Sequence, residues 1–305
     1  MFKVFIDGSA GTTGLKILDR LSERKDISLI VLPEELRKDL SARKDALNSA
    51  DIAFLCLPDT ASIESVSLVD NKNTVIIDTS TAHRTADGWA YGFSELGFKN
   101  QILNSKRIAN PGCHASGFLA LVKPLTDNGL IDKDINLSCF SLTGYTGGGK
   151  KMIESYESSD RDILLDAPRQ YGLTQTHKHL PEMKKIANLN NEPIFCPIVA
   201  PFACGMEVTV PLFKKDLKGS VEDIKSVYKN LYDGKIVKYL EESENGFISA
   251  NLMSGKDGMV VSVFGNEERI LLTARFDNLG KGASGAAIQN MNIVMGVDET
   301  TGLTL

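Results

Sequence analysis

The chain has no surplus of basic charge, no bilayer-length apolar run, no paired cysteines and a single tryptophan, Trp89. With 34 Lys and Arg against 39 Asp and Glu, nothing in it attracts a polyanion, so neither nucleic acid nor a membrane surface is expected as a partner. Without an apolar run long enough to span lipid, and with a β-like run starting at Phe2 in place of a leader, a cytoplasmic protein is expected. The five cysteines are odd in number, widely spaced and free of any C-x-x-C pair, which excludes a disulfide framework and a zinc ribbon. His177 and His179 stand at i, i+2, not the i, i+4 spacing of a zinc helix, and no third ligand accompanies them, so no metal site is expected.

What the chain does have is repeated alternation of short apolar runs with helical periodicity. At 305 residues and 42% hydrophobic content there is room for two domains. Phe2 to Ile6, Ile27 to Leu32, Asp51 to Leu57 and Thr74 to Ile77 read as strands separated by helices. That order predicts a doubly wound parallel sheet with its ligand along the C-terminal edge. The first turn, Gly8-Ser9-Ala10-Gly11-Thr12-Thr13-Gly14, is G-x-x-G-x-x-G. Glycines there let the backbone approach a pyrophosphate at a helix N-terminus, although a merely tight turn would use them too. After the second strand, Glu34 and Glu35 would suit a free ribose hydroxyl, whereas Arg37 and Lys38 would suit a 2′-phosphate. Pro58-Asp59-Thr60 reads as the third strand's exit and a helix cap. Asp78-Thr79-Ser80-Thr81-Ala82-His83-Arg84 follows the fourth strand, with Arg84 either an anion clamp or a surface arginine. Residues 87–106 read as irregular.

Asn110-Pro111-Gly112-Cys113 then sets a turn between an apolar run and a helix marked by Ala115, Phe118, Leu119 and Val122, with Asn128-Gly129 as its stop. A cysteine at a helix start meets free N–H groups and the positive end of the dipole, which favours thiolate. Cys113 is therefore a candidate nucleophile, set against the alternative of a small buried hydrophobe.

Beyond it, Ile135 to Leu142 reads as a strand running into Tyr145-Thr146-Gly147-Gly148-Gly149-Lys150, whose glycines suit either an anion cradle or a hinge. Residues 155–175 read as loop, and His177-Lys178-His179-Leu180-Pro181-Glu182 opens a helix running to about Leu189. One of these histidines would suit a cysteine enzyme as acid/base. Ile194 to Phe202, Met206 to Phe213, Phe247 to Met253, Met259 to Phe264 and Ile270 to Phe276 read as strands, and Val221, Ile224, Val227, Tyr228 and Leu231 as a helix face. This second half is an α+β unit with a mainly antiparallel sheet, a common oligomer-forming element. Asp277 to Gly285 leads into a helix from Ala286 to Val294, expected to pack back on the N-terminal sheet.

In that order, the motifs resemble those of the N-acetyl-gamma-glutamyl-phosphate reductases of arginine biosynthesis, in the family's shorter form, over essentially the whole chain. The resemblance implies an α/β fold: a Rossmann-like dinucleotide-binding domain of residues 1–112 and 282–305, and a catalytic and oligomerisation domain of residues 113–281. It implies reduction of an acyl phosphate by NADP through a cysteine thioester, with phosphate released. It matches Cys113 to the nucleophile and His179 to the acid/base. Gly8, Ser9, Gly11, Thr12, Thr13, Gly14, Arg37, Lys38, Pro58, Asn278, Gly280 and Gly282 fall to the cofactor, and Arg84, Tyr145, Gly148, His177 and Glu182 to the substrate. His114 departs from the family, which usually has an aromatic residue after the cysteine. A homo-oligomer, dimer or tetramer, is implied. Rival readings are a reductase of aspartyl or N-acetyl-aminoadipyl phosphate and a non-catalytic NADP-binding sensor.

Overall fold

A computed structural model describes residues 1–305, and the chain divides into two compact units: residues 1–112 with 283–303, and residues 113–282 with 304–305. No helix is long and apolar enough to cross a membrane.

In the first unit the chain runs β1 (Phe2–Asp7), α1 (Thr12–Ser22), β2 (Ile27–Ile30), α2 (Leu40–Ser49), β3 (Ile52–Leu55), α3 (Asp59–Ser67), β4 (Val75–Asp78), β5 (Ala90–Tyr91), α4 (Lys99–Asn104) and β6 (Arg107–Ala109). The strands form one all-parallel sheet in the order β2-β1-β3-β4-β6-β5. Strands β3 and β4 are buried at every position, as covering both faces of a parallel sheet requires. The order reverses between β1 and β3, and the glycine turn after β1 sits at that switch point, where open α/β sheets bind ligands. The 58–60 segment does start α3, with Pro58 as N-cap and no side-chain cap, and the Asp59 carboxylate accepts from the backbone N–H (2.9 Å) and hydroxyl (2.5 Å) of Thr81. One expectation is corrected here. Residues 87–106 hold β5 and α4, both too short for their periodicity to register in the sequence.

The second unit runs α5 (Cys113–Asp127), β7 (Ser138–Gly144), α6 (Lys150–Glu157), β8 (Arg169–Gln170), α7 (Leu180–Ile186), β9 (Ile194–Ala200), β10 (Met206–Phe213), α8 (Val221–Leu231), β11 (Val237–Tyr239), β12 (Met259–Gly265) and β13 (Arg269–Phe276). Its sheet, in the order β11-β12-β13-β10-β7-β9-β8, is mainly antiparallel, with β7·β9 and β11·β12 the parallel pairs. Helix α5 packs on β10 and β13, and Gly117 permits the approach: a Cβ there would come 2.4 Å from the Val208 side chain. Pro124 lies inside α5 and cannot donate to the Ala120 carbonyl one turn back; the Tyr232 hydroxyl takes that acceptor at 2.6 Å. The chain then enters α9 (Gly285–Met295), whose Ala287, Ile288 and Met291 join Val4, Phe54 and Ile77 in the core of the first unit.

Three readings are revised in the second unit. Phe247 to Met253 is not a strand: Phe247 makes only an isolated bridge to Glu244 across Asn245 and Gly246, which take positive φ (53° and 86°), residues 250–253 are turn, and Phe247 is exposed. Residues 155–175 are less loop-like than their polarity suggests, holding the last turn of α6 and the short strand β8. Helix α7 ends at Ile186, before Asn188 turns left-handed (φ 58°).

Candidate active site

Cys113 opens α5 behind Pro111 and Gly112, part-exposed, where the first-turn N–H groups and the dipole favour a sulfur anion. Gly282 lies against it: a Cβ there would stand 3.0 Å from the Cys113 Cβ. Three of the four histidines gather beside this helix start. The His114 ring lies 5.6 Å from that of His179 and 5.8 Å from that of His177, and the last two are 4.8 Å apart and nearly perpendicular. Phe195 of β9 closes the group, 5.2 Å from His114 and 5.0 Å from His177. The Asn-Pro-Gly turn places Cys113, and the turn into α7 places the histidine pair; the His179 backbone N–H donates to His177 Nδ1 at 3.2 Å.

The imidazoles are not equivalent. His114 is buried, with Nδ1 2.7 Å from the Ser141 hydroxyl and Nε2 2.7 Å from the Tyr171 hydroxyl. Burial, helped by the neighbouring His177, pushes its pKa down to about 3, so the ring is neutral at physiological pH. Burial and the charge of Cys113 push the Tyr171 phenol up, which leaves it a proton donor. His179 is buried at the N-cap of α7, and Glu182, also buried, stands in that helix's first turn. Tyr171, Ser141 and Phe195 have no signal in the sequence, since their place around His114 comes from pairing across the sheet.

The remaining expected residues fall in several places. Tyr145 stacks on Tyr156 at 4.8 Å and donates to Glu157 at 3.2 Å. Gly148 borders a 620 Å³ groove with Arg161 and Arg169. The Asn278 amide is engaged within the unit, accepting from the Gly205 N–H (2.9 Å) and donating to the Thr146 hydroxyl (3.0 Å). Gly280 donates to Asp277 at 2.9 Å and has no room for a Cβ, which would lie 2.1 Å from the Lys256 carbonyl. In the first unit, Arg84 is buried and donates to the carbonyls of Asn110 (3.0 Å) and Thr79 (2.9 Å).

Also in the first unit, a cavity of about 410 Å³ opens at the switch point. Gly8, Ser9, Leu32, Glu34, Arg37 and Lys38 are among its lining residues. Gly8 has φ +88°, and a Cβ there would fall 2.3 Å from the Cys56 carbonyl; one on Gly14 would fall 2.4 Å from the Gly8 carbonyl. A Cβ on Gly11, the N-cap of α1, would meet nothing nearer than the Gly8 carbonyl at 3.5 Å. Thr12 and Thr13 follow in the first turn of α1, and Pro58 caps α3. The sequence does not reveal the buried ion pair beside the cavity: Arg43 donates to Asp7 at 3.1 and 3.2 Å, with Ser65 on the same oxygen at 2.8 Å.

Residues 3–105 match the family model described as semialdehyde dehydrogenase, NAD binding domain, and residues 113–278 match semialdehyde dehydrogenase, dimerisation domain. The N-acetyl-gamma-glutamyl-phosphate reductases of Brucella ovis and Brucella abortus are each 47% identical over 306 aligned positions, covering 96% of this chain and 99% of each relative. Among solved structures, aspartate semialdehyde dehydrogenase II of Vibrio cholerae superposes with a TM-score of 0.73 at 19% identity, over 97% of this chain and 98% of that one. Aspartate semialdehyde dehydrogenase of Francisella tularensis superposes with a TM-score of 0.73 at 16% identity, over 97% and 100%. At those identities the likeness speaks for the fold. The identity to the curated relatives, sustained over both chains, goes further: the chain belongs to the N-acetyl-gamma-glutamyl-phosphate reductase family.

Proposed function

We propose that this protein reduces N-acetyl-gamma-glutamyl phosphate to N-acetylglutamate semialdehyde and phosphate, using NADPH, in the cytoplasm. The observation that carries the reading is Cys113 at a helix start beside a histidine cluster, in a member of that family. His114 is neutral and both its ring nitrogens are engaged, so His179 is the imidazole assigned to proton transfer.

The first unit fits a dinucleotide. Gly8 and Gly14 shape a turn that admits no Cβ, Gly11 leaves room at an uncapped helix start, and Ser9, Thr12 and Thr13 accompany it. Past β2 stands Val31-Leu32, not an acid, with Arg37 and Lys38 on the cavity for a 2′-phosphate; Glu34 shares that lining. Pro58 borders the same strand edge, and Asn278, Gly280 and Gly282 form the segment assigned to the nicotinamide end. When bound, the nicotinamide supplies the hydride.

The chain's own residues do the rest. The Cys113 thiolate attacks the acyl carbon, the C–O bond to phosphate breaks, and a thioester remains. The reduced thiohemiacetal collapses to free aldehyde and thiolate while His179 holds and returns the proton. Arg84, Tyr145, Gly148, His177 and Glu182 are assigned to the substrate, Arg84 and Tyr145 mainly through the loops their side chains hold.

The second copy in a homo-oligomer is assigned to the open face of the second unit's sheet. Register puts Phe140, Ile194, Phe213 and Leu271 on one face, and all four are exposed. Light scattering on the full chain checks this; a monomeric mass removes it.

The reaction is tested by phosphate-dependent reduction of NADP with N-acetylglutamate semialdehyde, run beside aspartate semialdehyde and beside NAD. Turnover confined to the N-acetylated aldehyde and faster with NADP is expected. Turnover with aspartate semialdehyde alone overturns the substrate, and none with either overturns the reaction.

A further inference from the structure

The loop after β4 is anchored at nearly every polar side chain. Asp78, fully buried, accepts from the Ser80 N–H at 2.9 Å, the Ser80 hydroxyl at 2.7 Å and His83 Nδ1 at 2.6 Å. The Thr79 hydroxyl donates to the Leu55 carbonyl at 2.9 Å, Thr81 is bound to Asp59, and Arg84 donates to two backbone carbonyls. The His83 ring also stacks on Trp89, with centroids 4.0 Å apart and planes 14° from parallel. A carboxylate on Nδ1 fixes the proton there, and the stack fixes the plane of the ring. Nε2 is thus held in one direction by two independent contacts, the side chain keeps 12% of its surface accessible, and no group of the protein takes this nitrogen. A histidine kept only for packing needs one such contact. This one is oriented as a group that meets a ligand is oriented, at the C-terminal edge of a parallel sheet.

We propose that His83 is a substrate-binding residue that acts as an imidazolium, its Nδ1–H on the Asp78 carboxylate and its Nε2–H donating to an anionic oxygen of the acyl phosphate, on the carboxylate or the phosphate, with Asp78 and Trp89 as its positioning residues. In this division of the motif, Arg84 holds the loop while its neighbour reads the ligand. The inference rests on the proposed reaction.

Two substitutions separate reading a ligand from holding the fold. Asparagine places an amide nitrogen near the position of Nδ1 and keeps the bond to Asp78 while deleting Nε2; glutamine reaches toward the position of Nε2. Steady-state kinetics in the NADP-reducing direction, varying N-acetylglutamate semialdehyde and phosphate separately, are measured on wild type, His83→Asn and His83→Gln, with thermal midpoints alongside. His83→Asn is expected to raise one KM by about tenfold or more, with the effect on KM larger than that on kcat, and His83→Gln to recover part of it. A rise in the aldehyde KM places the nitrogen on the carboxylate; a rise in the phosphate KM places it on the phosphate. Unchanged KM values in His83→Asn, or a larger loss in His83→Gln that tracks its thermal midpoint, overturn the assignment. A wild type that is inactive overturns the reaction first, and this assignment with it.

Discussion

The chain starts two helices in opposite ways. Helix α1 opens on backbone alone: its N-cap is Gly11, no side chain caps it, and the turn before it has no space for a Cβ at Gly8. Helix α5 opens on a side chain, Cys113, and surrounds it with imidazoles and a phenol. Both use the same exposed N–H groups and the same dipole. A backbone site is set by close approach, strict at Gly8 and Gly14, and has nothing to titrate; a side-chain site is set by pKa values and therefore by pH.

The largest effect expected from breaking this contrast is at α5. Cys113→Ser keeps the volume and the helix start but replaces the thiolate with a poor nucleophile. Turnover is expected to fall by at least about four orders of magnitude. NADPH affinity, read by fluorescence titration, is expected to hold within about twofold, because α1 and its turn are untouched. A matching loss of NADPH binding would remove the division of labour between the two helix starts.

Next in size is the turn before α1. Gly8→Ala forces a Cβ to within 2.3 Å of the Cys56 carbonyl at a φ of +88°, so a loss of at least about 2 kcal/mol in unfolding free energy is expected. Gly11→Ala has 3.5 Å of clearance, so its fold should hold within about 1 kcal/mol. NADPH affinity in Gly11→Ala should nevertheless drop about tenfold, since the added methyl stands where backbone would meet pyrophosphate. An unchanged affinity would mean that α1 does not seat the dinucleotide.

The same contrast explains what was legible in the sequence. Local physics reads well: β1, the Asn-Pro-Gly-Cys turn and α8, whose Val221, Ile224 and Tyr228 are buried at helical spacing, need only neighbours in the chain. Pairing does not. β8 is two exposed residues, Arg169 and Gln170, and is a strand only because Val199 and Ile198 of β9 lie beside it. Phe247 to Met253 has the composition of a strand and turns instead, because Asn245 and Gly246 take positive φ before it and β12 already pairs with β11 and β13. Within the site, Cys113 and the histidine pair announce themselves by type and spacing. The neutral state of His114 does not, because it depends on Ser141, Tyr171 and Phe195 arriving from three other places in the chain.

That neutral state makes the smallest and most diagnostic prediction. With the folded pKa of His114 lowered from 6.5 to about 3, the unfolded chain binds a proton that the folded chain does not across that interval. Its contribution to stability is therefore complete above about pH 6.5 and is lost as the pH falls, by up to about 1.4 kcal/mol per pH unit. His114→Gln removes the titration and also the close fit, so the variant should be less stable at pH 7. The gap should narrow at pH 6 and again at pH 5, as read from urea unfolding of both proteins, since every other titrating group contributes equally to each. A constant gap would mean that His114 takes up its proton in the folded protein as readily as in the unfolded chain. Cys113 would then have a second titrating imidazole beside it, and the assignment of proton transfer to His179 would lose the asymmetry on which it rests.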